Sequence, residues 1–139
     1  MKIERVETFQ ADAGWRMFSF LKVTTSDGII GWSEFNESFG SIGLSDVIRG
    51  LSPMLIGKDP RRYEQITQHL HVLTRQSRGG INQQAIAAIE NALLDVTGKE
   101  QAHTLLRQSV RYAVRTEQSI VEKKRPAPEI RALLPKLLD

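Results

Sequence analysis

The sequence predicts an α+β domain in which a three-stranded antiparallel sheet is followed by a helical bundle. Strand-like runs rich in β-branched and aromatic residues lie near the N-terminus, and an Asp-Gly turn signal separates two of them. Helical periodicity replaces this pattern afterwards. Because strands that precede helices are typical of α+β folds, we expect one sheet packed on helices, with extra helices at the C-terminus.

Three runs are the predicted strands, namely residues 2–10, 16–25 and 29–35. Asp27-Gly28 lies between the second and third runs, and glycine accepts the positive φ that a tight hairpin turn demands. We therefore expect the second and third strands to be antiparallel neighbours.

Both faces of the second strand carry apolar side chains. Phe18 and Phe20 share one face, whereas Met17, Leu21 and Val23 share the other. We expect helices to cover one face, and the other face is a candidate contact for a partner.

The first two helices are predicted from apolar spacing and from their boundary residues. Apolar residues recur at helical steps over residues 44–55, where Pro53 should end or bend the helix. Asp59-Pro60 predicts the start of a second helix, because Asp caps free amides and Pro tolerates the first helical position.

A third helix is predicted from about Asn82 to Thr97, and Gly98 should end it. In each helix one stripe of apolar residues should face the core. The stripes are Leu44, Val47, Ile48, Leu51 and Leu55 in the first helix, Tyr63, Ile66, Leu70 and Leu73 in the second, and Ile86, Ile89, Leu93 and Val96 in the third.

Composition narrows the classes of function. The 139 residues are 40% hydrophobic and 25% charged, which is ordinary for a soluble globular protein. We expect no membrane association, because no apolar run approaches the roughly 20 residues that a membrane helix needs. The absence of cysteine excludes disulfides and thiolate chemistry, and the N-terminus has no secretion-signal pattern. The expected location is the cytoplasm.

No residue pattern predicts a catalytic or metal-binding residue. His69 and His71 are two positions apart on a predicted helix, so they point to different faces, and His103 is isolated. Glu34 and Glu37 form a pair of nearby carboxylates without a nucleophile or a partner base. We therefore assign no catalytic residue and no metal ligand.

Three segments together resemble the N-terminal domain of the mandelate racemase and muconate lactonizing enzyme group of the enolase superfamily. They are residues 28–34 (GIIGWSE), 55–60 (LIGKDP) and 85–99 (AIAAIENALLDVTGK), which occur in family order and at family-like spacing. The resemblance covers residues 1–99 and implies the fold of the enolase N-terminal domain.

The resemblance also implies the role of a cap. In that family the domain covers a (β/α)8 barrel, and the barrel carries the acid/base lysine, the three Mg²⁺ carboxylates and the second base. Such enzymes use Mg²⁺ to abstract the α-proton of carboxylate substrates in racemisation, cycloisomerisation or acid-sugar dehydration. This chain departs from the family pattern after Lys99, and no barrel sequence follows. The expectation is a capping domain that has no cofactor of its own and is inactive alone.

Two loops of the family's cap supply substrate contacts, and they correspond here to residues 13–16 and 36–40. Trp15 and Phe39 are suited to shielding a site from water, and Arg16 could pair with a substrate carboxylate through its planar fork. The candidate residues of these substrate loops are Trp15, Arg16, Asn36, Glu37 and Phe39.

Residues 100–139 are predicted to be a divergent helical tail that packs on the same domain as residues 1–99. Arg107, Arg111 and Arg115 recur in it at four-residue spacing. A basic helix face can follow phosphates, but no set of aromatic residues for base stacking accompanies it. The pattern favours a solvated face, with weak nucleic-acid binding as the alternative.

A further alternative is a homo-oligomeric interaction module. A cap without its barrel exposes the surface that the barrel would bury, and a large exposed apolar patch favours association. We therefore expect a homo-oligomer formed through that surface.

Overall fold

The computed structural model describes the backbone of residues 1–124 and the side chains of residues 1–111, so the end of the predicted tail lies outside the described residues. Strands precede helices, and the predicted α+β class is confirmed. The elements are β1 Ile3–Asp12, β2 Met17–Thr25, β3 Ile30–Phe35, α1 Leu44–Leu51, α2 Tyr63–Leu73 and α3 Gly80–Lys124, with 3-10 turns at Ser52–Met54, Pro60–Arg62 and Arg75–Ser77.

The sheet has the order β1-β2-β3, and both pairs of neighbouring strands are antiparallel. The predicted hairpin connects β2 to β3. In its turn the Gly28 amide donates to the Thr25 carbonyl at 3.0 Å, and the Thr25 amide donates to the Ile29 carbonyl at 3.0 Å. Gly28 has a φ of 79°, which is the conformation that the sequence predicted for it.

The core lies between one face of the sheet and the three helices. The sheet contributes Leu21, Val23 and Phe35 to this core. In β2 the buried Ser19 lies on the inner face and its neighbour Phe18 on the outer face, as expected for a strand. The predicted helical stripes are buried in large part, and the fully buried members are Leu44, Ile48, Leu55, Leu70, Ile86, Ile89, Leu93 and Val96. Leu73 was predicted to be buried but is 48% exposed, because it lies in the last turn of α2.

Two helix boundaries lie at the residues from which the sequence predicted them. Pro53 lies in the 3-10 turn that ends α1, so the predicted break is confirmed. The Asp59 side chain accepts a hydrogen bond from the Arg61 amide at 3.1 Å and so caps the turn that leads into α2.

The approach of α3 to β3 is very close at Gly31. A Cβ atom at this position would lie 2.2 Å from the Ala92 carbonyl oxygen and 2.5 Å from Cγ2 of Val96. Beside this contact the buried Ser33 hydroxyl donates to the Ala88 carbonyl at 2.6 Å. Only glycine allows the helix to come this close to the strand.

Side chains of α3 also form hydrogen bonds with backbone groups on the open edge of β3. The Trp32 amide donates to Oδ2 of Asp95 at 2.8 Å, and Nζ of Lys99 donates to the Ile30 carbonyl at 2.8 Å and to Asp95 at 2.6 Å. Partial burial opposes ionisation of Asp95, but the hydrogen bonds from Lys99 and from the Trp32 amide hold its pKa below the ordinary value. The helix thereby pairs backbone groups that an edge strand would otherwise leave free.

The predicted end of the third helix at Gly98 is wrong, because α3 continues through this residue to Lys124. A glycine inside a helix costs about 1 kcal/mol relative to alanine. Here Lys99, Glu100 and Gln101 follow it, and such strong helix formers favour continuation. Continuation also keeps Lys99 one helical turn from Asp95, where the two side chains form their ion pair.

The chain divides into two compact units, residues 1–100 and residues 101–139. In the second unit the side chains of residues 101–111 are all exposed, and Leu105 and Leu106 are 64% and 66% exposed. The docking of the tail on residues 1–99 stays a prediction. Within the described part of the chain, no helix has both the length and the apolar character needed to cross a bilayer.

Replacement of Gly31 by alanine should destabilise the fold by about 3 kcal/mol, because the added methyl group overlaps the backbone of α3. The free energy of unfolding in urea measures the effect. Gly50→Ala is the matched control, since the space around Gly50 is open and alanine is the better helix former in α1. The control should be neutral or stabilising by about 0.5–1 kcal/mol. Equal behaviour of the two variants would contradict the close contact.

Candidate substrate-binding loops

The two candidate loops lie at the same end of the sheet. Residues 13–16 connect β1 to β2, and residues 36–40 follow β3. Because Ser19 of β2 pairs with Phe35 of β3, the start of β2 and the end of β3 are side by side. The sheet therefore brings both loops to the same end.

The first loop is a tight turn that exposes its aromatic residue. The Ala13 amide donates to the Arg16 carbonyl at 3.1 Å, and the Gly14 amide donates to Oδ1 of Asp12 at 2.8 Å. Trp15 at the tip is 76% exposed, and its ring packs edge-on against Phe18 at 5.7 Å between centroids. The turn thus holds an indole ring out in solvent, with the Phe18 ring against it.

Arg16 already has a carboxylate partner within the domain. Its Nη2 donates to Oε1 of Glu34 at 2.5 Å, and its guanidinium carbon lies 4.0 Å from the centroid of the Phe18 ring. Stacking and the ion pair fix the direction of the side chain. Of the five N–H groups that a guanidinium offers, one is used in this bond, so a second carboxylate can still bind.

Glu37 is engaged with the start of α1. Its Oε1 accepts from the Gly43 amide at 3.0 Å, and its Oε2 accepts from the Ser45 hydroxyl and, at 3.5 Å, from the side-chain amide of Gln10. A carboxylate is favourable at a helix N-terminus, where free amides and the helix dipole are positive. The structure therefore uses this sequence-predicted substrate residue to fasten the second loop to α1 and β1.

Asn36 and Phe39 occupy different environments in the second loop. Phe39 is 100% exposed and contacts no core residue. Asn36 lines a cavity of about 360 Å³ between this loop, the start of α1 and one face of α3. Glu34 lines the same cavity. Because Glu34 pairs with Arg16, it connects the first loop to this cavity.

Sequence reasoning missed two polar residues of α3 that line this cavity. Gln84 and Asn91 lie seven residues apart, which places them on the same side of the helix. That side also carries Ala87 and Ala88, whose small side chains leave room for the cavity. The sequence signal that could have indicated them is the seven-residue spacing of two side-chain amides beside small residues on one helix. The pairing of Arg16 with Glu34 was not detectable, because it depends on strand register.

The described residues show no cluster of metal-ligating side chains. Among residues 1–111, no group of three His, Asp or Glu side chains lies close enough together to hold a metal ion. The described His69, His71 and His103 are exposed and separate, in agreement with their predicted positions. The set of three carboxylates that the family resemblance implies for Mg²⁺ is therefore not found among residues 1–111.

Comparison with known proteins gives the same family. The family model of the mandelate racemase / muconate lactonizing enzyme N-terminal domain matches residues 7–107. D-galactonate dehydratase of Pectobacterium atrosepticum is 36% identical over 99 residues, which cover 71% of this chain and 25% of that enzyme. The chain thus spans about a quarter of the length of the curated relatives that it matches.

Solved structures agree with the sequence comparison. The 3,6-anhydro-D-galactonate cycloisomerase of Zobellia galactanivorans is 28% identical, with a TM-score of 0.66 over 73% of this chain and 29% of that one. A mandelate racemase/muconate lactonizing protein of Paracoccus denitrificans, solved with magnesium, is 27% identical. Its TM-score is 0.66, over 91% of this chain and 40% of that one.

Fold, loop placement and sequence identity therefore lead to one class, the caps of enolase-superfamily enzymes. This chain belongs to the mandelate racemase / muconate lactonizing enzyme family, and residues 7–107 are its N-terminal domain.

Proposed function

We propose that this chain is a substrate-capping module that contributes two loops to a carboxylate-binding site and contributes no catalytic group. Its substrates in an assembled enzyme would be acid sugars or related carboxylates, and the cytoplasm is the expected location. Alone, the chain is catalytically silent and binds no Mg²⁺. The observation that supports this most is the position of both loops on one edge of the sheet, beside a cavity of about 360 Å³.

Arg16 and Trp15 give the cap its chemistry. Arg16 offers a substrate carboxylate the N–H groups that Glu34 leaves unused, and Glu34 keeps the guanidinium from turning into solvent. Trp15 and Phe39 are the exposed apolar groups of the two loops, and closure over a barrel would bury them. Exclusion of water by these rings would strengthen the electrostatic interactions beneath them.

The curated relatives suggest the substrate to test. Several of them, including the protein of Pectobacterium atrosepticum, are D-galactonate dehydratases. Because the proton-abstracting groups of this family belong to the barrel, we expect no turnover from the cap alone.

Assay of the purified chain with D-galactonate and Mg²⁺ tests the proposal that the chain alone has no catalytic activity. We expect no dehydration above the buffer rate, while circular dichroism shows that the chain is folded. Mg²⁺-dependent product formation at a rate proportional to the chain's concentration would contradict it.

The capping role is tested in the same assay with a chimera in which residues 1–99 replace the cap of the Pectobacterium enzyme. We expect activity that falls about tenfold or more when Arg16 is changed to Gln, since a charged hydrogen bond contributes about 1.5–3 kcal/mol. Arg49→Gln is the matched control, because Arg49 is exposed and its ion pair among the described residues is with Asp46 on α1. A folded but inactive chimera, or equal loss in both variants, would contradict the capping role.

A second candidate function is supported by the outer face of the sheet. Phe9, Phe20 and Trp32 lie on this face, where Phe9 and Trp32 are 43% and 44% exposed and their rings are 5.9 Å apart. Lys22 lies between them, at 5.8 Å and 5.7 Å from the two ring centroids, and 3.8 Å from Glu7. We propose that a second copy of this chain covers this face when no barrel is present.

Self-association suits this surface because it carries both signs of charge around its aromatic residues. In a two-fold contact, each Lys22–Glu7 pair can face its symmetry mate with opposite charges adjacent. Light scattering over a range of concentrations should show a growing fraction of dimer. Trp32→Lys should abolish the dimer, whereas Val72→Ser, on exposed α2 surface, should not. A strict monomer at the highest soluble concentration would contradict this second function.

A further inference from the structure

A second cavity lies away from the substrate loops. It has a volume of about 350 Å³ and lies between the turn that precedes α2 and the first turns of α2. Four side chains with hydrogen-bond donors line it, namely Lys58, Arg62, Gln65 and His69, together with the apolar side chains of Met54 and Ile66. None of these residues belongs to loops 13–16 or 36–40, so the capping role does not use them.

The free charges in this cavity are positive. Within the described residues, neither Lys58 nor Arg62 forms an ion pair. The lining carboxylate, Asp59, is held by Arg61, whose Nη2 lies 2.6 Å from Oδ2 and whose Nε lies 2.9 Å from Oδ1. Hydrogen bonds from Arg61 lower the pKa of Asp59 to about 2. The charge of Asp59 is thus already balanced by a side chain outside the cavity lining.

The backbone that carries the two cations is fixed by the sheet and by the turn. The Ile3 amide donates to the Lys58 carbonyl at 2.9 Å, and the Gly57 amide donates to the Ile3 carbonyl at 2.8 Å. The Arg62 amide donates to the Asp59 carbonyl at 3.0 Å. Binding therefore has to order only the side chains, which lowers its entropic cost.

We propose that this cavity binds a small organic dianion, of which a dicarboxylate is the simplest example, between Lys58 and Arg62. Two cations match two acidic groups, and the side chains of Gln65 and His69 can donate further hydrogen bonds. Met54 and Ile66 give the cavity an apolar portion, and about 350 Å³ lies in the range of small-molecule sites. These two features favour a ligand with a carbon skeleton over an inorganic anion.

Calorimetric titration with succinate, at constant ionic strength set by chloride, tests the site on the intact chain. We expect saturable binding at one site per chain. Lys58→Gln and Arg62→Gln should each weaken it about tenfold, because each removes one charge-assisted hydrogen bond. Arg75→Gln is the matched control, since Arg75 is exposed and lines no part of this cavity. The control should leave the affinity unchanged.

Nuclear magnetic resonance gives a second readout that does not depend on heat. The ring protons of His69 should shift with the same saturation curve, whereas those of His71, which lines a different cavity, should not. Three results would overturn the proposal: binding that chloride abolishes, equal weakening in all three variants, or phosphate binding more tightly than succinate. Because these measurements involve no turnover and no barrel, their outcome is independent of the capping role.

Discussion

The docking of α3 on β3 is the contact on which the rest of the domain depends. Gly31 lets the helix backbone approach the strand, and a side chain there would overlap Ala92. At this separation Asp95 and Lys99 reach the open edge of β3 and pair the Trp32 amide and the Ile30 carbonyl. One small residue and one ion pair therefore close an edge strand that would otherwise remain open to other chains.

This contact also fixes where the two candidate loops lie. Since β3 is held on α3, residues 36–40 leave the strand beside Gln84 and Asn91, and the cavity forms between them. Since β2 pairs with β3, Arg16 reaches Glu34 and the first loop lies beside the second. The sheet and α3 thus present the exposed aromatic residues Trp15 and Phe39 at one end of the sheet, an arrangement that suits the proposed capping role.

The sequence alone was sufficient to predict the strands, the Asp27-Gly28 hairpin and the start of α2, because each depends on residues close in sequence. The end of α3 could not be predicted from Gly98 alone, since the favourable residues after it and the Asp95–Lys99 pair outweigh the cost of one glycine. Of the candidate loop residues, the exposure of Trp15 could be anticipated at a turn. The use of Glu37 at α1 could not, because that contact depends on the tertiary path of the loop.

The most direct test of the central contact is the pH dependence of stability in Asp95→Asn. The pKa of Asp95 is lowered by folding, so its contribution is fully present above the ordinary carboxyl pKa of about 4 and is lost as pH falls through the lowered value. At neutral pH the free energy of unfolding of the variant should be about 1 kcal/mol lower than that of the parent. The difference is modest because Asp95 is partly exposed. The difference should vanish in acid. Equal stability of variant and parent at neutral pH would contradict the account.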